Sequence, residues 1–162
     1  MSNKRTFAVS TIVGVFLLLP SLSAGTATQA PQGILATATS VKCTFSLMTV
    51  GVLGDKPDAK VKPSTLVLEF EAINADEGSA ELTAGVGVYD IIVRYAQGYL
   101  NFIQSFRDGP LHTTTILEKK TASGKFKAMH SRHEYTDFAL PGFTSSPEQY
   151  YGECEVLKAG GQ

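Results

Sequence analysis

The sequence predicts an all-β protein of about eight antiparallel strands, with an up-and-down barrel favoured over a sandwich. Three observations predict it. Most of the chain after residue 40 consists of alternating or β-branched apolar runs separated by short turn clusters. No stretch there shows a convincing helical repeat of apolar residues. Two cysteines, Cys43 and Cys154, lie near the two ends of this region.

Composition excludes several classes of protein. The 162 residues are 43% hydrophobic and 18% charged, which is too apolar for intrinsic disorder. Fourteen basic side chains against fifteen acidic ones give a net charge of -1. No nucleic-acid partner is therefore expected, and no polybasic membrane patch. These figures predict a folded domain and identify no activity.

Residues 1–24 are interpreted as a signal peptide. Lys4 and Arg5 precede the uncharged apolar stretch 7–19, and Pro20 and small residues follow up to a cleavage site after Ala24. Thirteen helical residues span about 20 Å, less than the roughly 30 Å of a bilayer core, although an uncleaved anchor is the alternative. We therefore expect an exported protein, periplasmic or secreted, with no transmembrane anchor after cleavage.

The mature chain divides into three parts. Residues 25–39 are rich in Ala, Thr, Gly and Gln and are expected to form a flexible N-terminal arm. Residues 40–157 form the single β domain, and residues 158–162 a loose tail.

The first three predicted strands alternate apolar and polar side chains. In the first, Cys43, Phe45 and Leu47 share one face, and a turn cluster that closes at Pro63 follows it. The second shows the same alternation, and the third is short. Their spans are 41–52, 65–73 and 80–84.

The fourth and fifth strands form the clearest predicted hairpin. Two β-rich runs, 89–96 and 99–106, are joined at Gln97-Gly98, where glycine supplies a positive φ. The turn 107–110 then ends the fifth strand.

The last three strands occupy 111–119, 125–135 and 149–156. The sixth is rich in β-branched residues, which disfavour a helix. The turn 121–124 reverses the chain into the seventh strand, and a long loop over 141–147 precedes the eighth.

The two cysteines predict one disulfide that joins the first and last strands. An even cysteine count in an exported chain favours a disulfide, and neither C-x-x-C spacing nor a metal-ligand set offers a better use. The bond requires the Cα atoms to approach within about 7 Å. An up-and-down barrel brings first and last strands together, and a sandwich is also compatible.

A weak metal candidate comes from the histidines. If Lys120 pairs with Lys125 across the turn, His112 lies opposite His133 with Cβ atoms about 5 Å apart. Asp108 or Glu134 would have to supply a third ligand. The alternative is that the histidines lie on the surface or the rim, so no metal or cofactor is assigned.

No catalytic residue is assigned. Ser131, His133 and Glu134 invite comparison with a hydrolase, but Ser131 and His133 lie about 6.5 Å apart along one strand. The chain also lacks the G-x-S-x-G elbow. We interpret the tract as a polar stripe and expect no enzyme.

Two resemblances add expectations. The segments 113–116, 126–133 and 149–154 (TTTI, FKAMHSRH and QYYGEC) resemble the C-terminal half of small exported alphaproteobacterial proteins, a group with no assigned activity. The resemblance implies export and identifies no mechanism. A second resemblance is to periplasmic inhibitors of C-type lysozyme, small exported barrels that present a Ser-Gly loop. Ser123-Gly124 matches that loop, but Lys125-Phe126 replaces the Tyr that usually follows.

We therefore expect an exported, non-enzymatic β-barrel that binds an unidentified small molecule in its interior or a protein partner at its rim. Candidate contact residues are Ser131, Arg132 and His133, together with Ser123 and Gly124. The alternatives are an inhibitor acting through the Ser123-Gly124 loop, and a metalloprotein or enzyme using His112 and His133.

Overall fold

The structure, a computed structural model, describes residues 33–84, 87–135 and 146–160. One turn of 3-10 helix over Ile34–Ala36 is followed by eight strands. The strands are β1 (Ala38–Val52), β2 (Asp58–Asn74), β3 (Ser79–Ala84), β4 (Gly87–Ala96), β5 (Tyr99–Ser105), β6 (Leu111–Lys120), β7 (Phe126–His133) and β8 (Glu148–Ala159). The predicted signal peptide and most of the predicted loop over 141–147 lie outside the described residues.

The eight strands close into one up-and-down antiparallel barrel, as the sequence predicts. Each strand pairs with its neighbours in chain order, and β1 pairs with β8 to complete the ring. Cys43 lies directly opposite Cys154 in that last pairing, and a disulfide joins them with their Cα atoms 4.0 Å apart. The barrel is confirmed over the sandwich because closure leaves β1 and β8 paired to each other.

The β1–β2 hairpin is longer than predicted. β2 begins at Asp58 rather than at residue 65, and it continues through Pro63. Pro63 pairs with Leu47 beside a register shift in β1, between Phe45 and Leu47. A proline is tolerated there because β3 reaches β2 only from Glu69 onward, so this part of β2 is an edge.

Both ends of the predicted domain extend further than expected. The arm assigned to residues 25–39 already enters β1 at Ala38, and Leu35 is fully buried in the hydrophobic core. At the other end β8 continues to Ala159, into the predicted loose tail. The two extensions belong together, because Ala38 pairs with Ala159 and the amide of Gly160 donates to the carbonyl of Thr37 at 2.7 Å.

Apolar side chains fill the barrel interior. Phe70 and Phe102 stack across it with ring centroids 3.9 Å apart, and the cavity beside them measures about 10 Å³. That volume is close to the minimum for one water molecule, and far below the several hundred cubic ångströms of a ligand pocket. This cavity is thus too small for the small apolar ligand considered from the sequence.

One glycine allows two strands to approach unusually closely. A Cβ on Gly152 would lie 2.1 Å from the carbonyl oxygen of Thr44 and 2.7 Å from the Cα of Phe45. Gly152 pairs with Phe45 beside the register shift of β1, where the strand bends inward. The site therefore excludes any side chain at position 152.

In the part of the chain that the structure describes, no helix has the length and hydropathy needed to cross a membrane.

Candidate functional site

The two ends of the barrel differ in chemistry. The end where β7 finishes at His133 and β8 starts at Glu148 gathers polar side chains, and we call it the polar end. At the opposite end the 3-10 turn carries Leu35 into the core, and we call it the plugged end. The plugged end also carries the turn between β6 and β7.

The strand register places six polar or aromatic side chains of the polar end in two rows. His112, Arg132 and Glu148 are direct cross-strand neighbours in the outer row. Thr114, His130 and Tyr150 are neighbours in the row beneath it. Residues i and i+2 of a strand share a face, so both rows lie on the same side of the sheet.

The predicted pairing of His112 with His133 is wrong. His112 lies opposite Arg132, and His133 lies opposite Leu111 and is exposed. Lys120 pairs with Phe126 rather than with Lys125, and the register shifts again between Ile116 and Lys120. Because a one-residue slip turns a strand's side chains over, His133 points outward and His130 takes the interior position.

His130 is the most buried titratable group of the polar end. Its side chain is 3% exposed, and its Nδ1 lies 2.8 Å from the hydroxyl oxygen of Thr114. Burial, together with the smaller effects of the Arg132 and His112 charges, lowers the pKa of His130 to about 3. The ring is therefore neutral at physiological pH, contrary to the expectation of surface or rim histidines.

His112 is paired with a carboxylate. Its Nε2 is hydrogen-bonded to Glu134, and its ring meets Phe106 edge-on with centroids 4.8 Å apart. Burial lowers the pKa of His112, and the hydrogen bond from Glu134 opposes that shift. Among residues 33–84, 87–135 and 146–160 no group of three or more His, Cys, Asp or Glu side chains is arranged to hold a metal ion.

Arg132, in the outer row, also contacts the row beneath it. Its Nε donates to Nε2 of His130 at 3.4 Å, and its Nη1 lies 3.8 Å from a carboxylate oxygen of Glu148. The guanidinium carbon is 5.3 Å from the ring centroid of Tyr150, a cation–π distance. The hydroxyl of Tyr150 donates to the same carboxylate of Glu148. Burial raises the pKa of Tyr150 above its usual range, and the hydrogen bond to Glu148 makes a smaller contribution in the same direction.

A groove of about 230 Å³ opens beside Arg132 at the polar end. Its lining includes all three predicted contact residues of β7, namely Ser131, Arg132 and His133. β8 adds Glu148 and Gln149, and β1 adds Thr49. The predicted contact tract therefore borders a real depression in the surface.

The second predicted contact, Ser123-Gly124, lies at the plugged end. Ser123 is exposed, and its hydroxyl donates to Glu153 at 2.7 Å. The hydroxyl of Thr121 donates to the same carboxylate oxygen at 2.9 Å, and Gly124 has a φ of +81°. The length of β7, about 23 Å, separates this turn from the groove. The turn and the groove are therefore two separate candidate contacts on the barrel.

Sequence reasoning missed four members of the cluster, Thr114, His130, Glu148 and Tyr150, and interpreted His130 as a surface or rim residue. Positions 112 and 114 already share a face, as do 130 and 132, and as do 148 and 150. A search for polar residues spaced by two in consecutive strands would have drawn attention to all six. It would not have fixed the register that brings them together.

No protein-family model matches the chain, and no curated protein or solved structure matches it either.

Proposed function

We propose that the protein is an exported, non-enzymatic binding protein that recognises a protein partner at the polar end of its barrel. The observation that carries this proposal is the contrast between a filled interior and a groove bordered by Ser131, Arg132 and His133. A barrel without internal room must bind from outside, and binding sites of barrels concentrate at their mouths.

Export is part of the proposal. It is supported by the apolar leader in residues 1–24 and by the disulfide, since such bonds persist mainly in oxidising compartments. Native mass spectrometry of the protein purified from cells that express it tests this directly. We expect the mass of residues 25–162, less two hydrogens, with no bound small molecule. A chain that retains its leader would contradict export.

Site-directed photo-crosslinking tests the partner. A photoreactive amino acid replaces Ser131 at the groove, and the matched control carries it at Ser123, at the plugged end. We expect a discrete crosslinked protein from position 131 and not from position 123. That protein is then purified, and its Kd for the wild-type barrel is measured. A crosslinked protein that shows no binding when purified would overturn the proposal.

A second candidate is an inhibitor that acts through the Ser123-Gly124 turn. The favouring observation is that Glu153 accepts hydrogen bonds from Thr121 and Ser123, which holds an exposed loop in one conformation. Preorganised loops bind enzymes well because little entropy is lost. C-type lysozyme inhibition is measured for the parent, for Ser123→Ala, and for Ser131→Ala as control. Inhibition lost only in Ser123→Ala supports this candidate, and an inactive parent removes it.

A further inference from the structure

The ring of His130 has a hydrogen-bond partner at each nitrogen, and together the two partners match the neutral form. Nδ1 faces the hydroxyl of Thr114 at 2.8 Å, and Nε2 accepts from Nε of Arg132 at 3.4 Å. Because a neutral imidazole carries one ring proton, that proton lies on Nδ1 and Nε2 keeps its lone pair. No described side-chain nitrogen or oxygen is both buried and unpartnered, so the hydrogen bonding of this closed state is complete.

A second proton on the ring would meet a donor instead of an acceptor. The guanidinium of Arg132 carries N–H donors and no acceptor, and it keeps its charge at any accessible pH. The protonated ring and the guanidinium would be two cations whose nearest nitrogens are 3.4 Å apart. Protonation of His130 at Nε2 therefore requires Arg132 to leave the ring.

The surroundings of His130 hydrate a charge poorly. Three rings enclose it, with centroids at 5.8 Å for Phe45, 5.6 Å for Tyr150 and 5.8 Å for His112. The cavity of about 10 Å³ against the ring holds at most about one water molecule. The lining that β2 to β5 give this cavity contains no titratable group, since it consists of Phe70, Leu82, Ile91, Phe102 and Gln104. A buried imidazolium is costly in such a site.

The carboxylates of the polar end are already bound to other groups. Besides His130, its titratable or charged members are His112 on β6, Arg132 on β7, Glu134 just after β7, and Glu148 and Tyr150 on β8. Glu134 is hydrogen-bonded to His112, and Glu148 accepts the hydroxyl of Tyr150. A protonated His130 would have to compete with these contacts for a carboxylate.

Acid also adds positive charge around His130. Arg132 is permanently charged, and the neighbouring His112 titrates as well. On β2, Lys62 extends the row that contains His130 and is exposed. Burial, with the charges of Arg132 and His112, lowers the pKa of His130 to about 3. The closed polar end is therefore compatible with the neutral ring and not with the charged one.

The strands can separate at the polar end without unfolding elsewhere. Beyond His130, β7 continues only to His133, and β8 begins at Glu148, two residues before Tyr150. In the other direction the disulfide joins β1 to β8 at Cys154, which pairs with Phe126. Phe126 lies four residues from His130, about 13 Å along β7. Openings at strand ends cost less free energy than global unfolding.

We propose that the polar end opens in acid: a proton from solvent binds Nε2 of His130, Arg132 is displaced from the ring, and the ends of β7 and β8 separate. The disulfide-bonded part of the barrel stays closed. In the open state the imidazolium and the guanidinium are both hydrated. This inference concerns the conformation of the barrel, and it does not depend on the proposed function.

Amide hydrogen exchange of the purified protein, followed by NMR at pH 7.5 and pH 4.5, tests the opening. The open state is expected to gain about a hundredfold between these values, because the pKa of an exposed histidine is about 6.5 and that of His130 about 3. Protection factors, corrected for the intrinsic effect of pH, are expected to fall by that factor over residues 111–114, 130–133 and 148–150. At pH 4.5 this exchange is expected to be insensitive to low urea concentrations.

The residues around the disulfide, 41–43 and 152–156, are the internal reference. They are expected to stay more protected at pH 4.5 and to lose protection as urea is added, because they exchange only through global unfolding. Equal protection and equal urea dependence in both regions would show that the barrel unfolds as a whole, and would overturn the local opening.

The variant His130→Gln removes the titrating group and retains a donor and an acceptor. The loss of protection at the polar end in wild type is expected to exceed that in the variant by about a hundredfold. His112 contributes to the loss in both proteins. Equal losses would exclude His130 as the trigger.

The variant Arg132→Gln tests the displacement, and it also serves if His130→Gln fails to fold. The amide oxygen of glutamine can accept the Nε2 proton that arginine repels, so the loss of protection is expected to be at least about tenfold smaller than in wild type. Arg107→Gln, which removes an exposed arginine from the same end, is the matched control and is expected to behave as wild type. An acid response in Arg132→Gln equal to that of wild type would contradict the displacement of Arg132.

The ¹⁵N shifts of the His130 ring check the starting state. At pH 7.5 we expect Nδ1 to carry the proton and Nε2 to carry none. A ring protonated on Nε2 at that pH, or one that becomes doubly protonated while the polar end stays protected, would overturn the mechanism.

Discussion

The hydroxyl oxygen of Thr114 lies 2.8 Å from Nδ1 of His130, inside the barrel on adjacent strands. Both side chains are at most 3% exposed, so this hydrogen bond replaces the water that an imidazole otherwise binds. The same ring accepts from Arg132 on its other nitrogen. His130 is thus a neutral histidine with both ring nitrogens hydrogen-bonded, one to the buried Thr114 and the other to the charged Arg132.

We predict that acid destabilises the protein through His130. Its pKa is about 3 in the folded state and about 6.5 when unfolded, so the unfolded chain binds the extra proton between these values. The contribution of neutral His130 to the free energy of unfolding is therefore fully present above pH 6.5, and it is lost progressively as the pH falls toward 3. At pH 5 the loss from His130 is about 2 kcal/mol. Urea unfolding at pH 7.5 and pH 5 measures it.

The control for this prediction is His130→Gln, which does not titrate. Its loss of stability between the two pH values is expected to be smaller by about 2 kcal/mol. His112 also titrates with a lowered pKa and contributes in the same direction in both proteins. Equal losses in wild type and variant would show that His130 is not the acid-sensitive group.

We predict that Leu35 is a structural residue of the barrel. Leu35→Ala is expected to reduce the free energy of unfolding by about 3 kcal/mol, because the side chain is fully buried. Ile34→Ala removes a neighbouring side chain that is 49% exposed and is expected to change stability by about 0.5 kcal/mol or less. Chemical denaturation compares the two. Similar losses would mean that the turn packs differently from its position in the structure.

We predict that Gly152 does not tolerate alanine. A methyl group there meets the backbone of Thr44, which cannot move without disturbing β1. Gly152→Ala is expected to lower stability by about 3 kcal/mol. Gly54→Ala is the control, since a Cβ at Gly54 would have no atom within 4 Å. Thermal unfolding of both variants at one pH makes the comparison, and a harmless Gly152→Ala would refute the close strand approach.

We predict that the disulfide contributes substantially to stability. It links residues 111 apart, a loop for which the chain-entropy model gives about 5 kcal/mol. The double variant Cys43→Ala/Cys154→Ala and the reduced wild type are expected to lose similar amounts in urea unfolding. A reduced protein with an unchanged midpoint would show that β1–β8 pairing alone holds the barrel closed.

The architecture was predictable because its causes are local in sequence. Alternation over residues such as Cys43, Phe45 and Leu47 identifies a strand, and two cysteines at the ends of the domain favour a closed ring. Pro63 was misread as the end of a connection. Its position in β2 depends on which strands have an unpaired edge, and only the assembled barrel determines that.

The site was predictable in part. Ser131, Arg132 and His133 border the groove as expected of a contact tract. The predicted pairing of His112 assumed that Lys120 pairs with Lys125, whereas Lys120 pairs with Phe126 and the register changes again between Ile116 and Lys120. A strand irregularity of this kind changes the register beyond the turn, so the residues of the turn do not reveal it. The buried position of Leu35 had a visible signal, since Ile34-Leu35 is the one strongly apolar pair in the predicted arm.

The pairing of β1 with β8 also orders events in time. A chain that emerges N-terminus first presents Cys43 long before Cys154, which follows 111 residues later. At about 5–20 residues per second, synthesis separates them by roughly ten seconds. Throughout that interval β1 has one open edge, and the 3-10 turn with Leu35 has no complete core to enter. The ring can close only after nearly the whole chain is available, because β8 is the last strand.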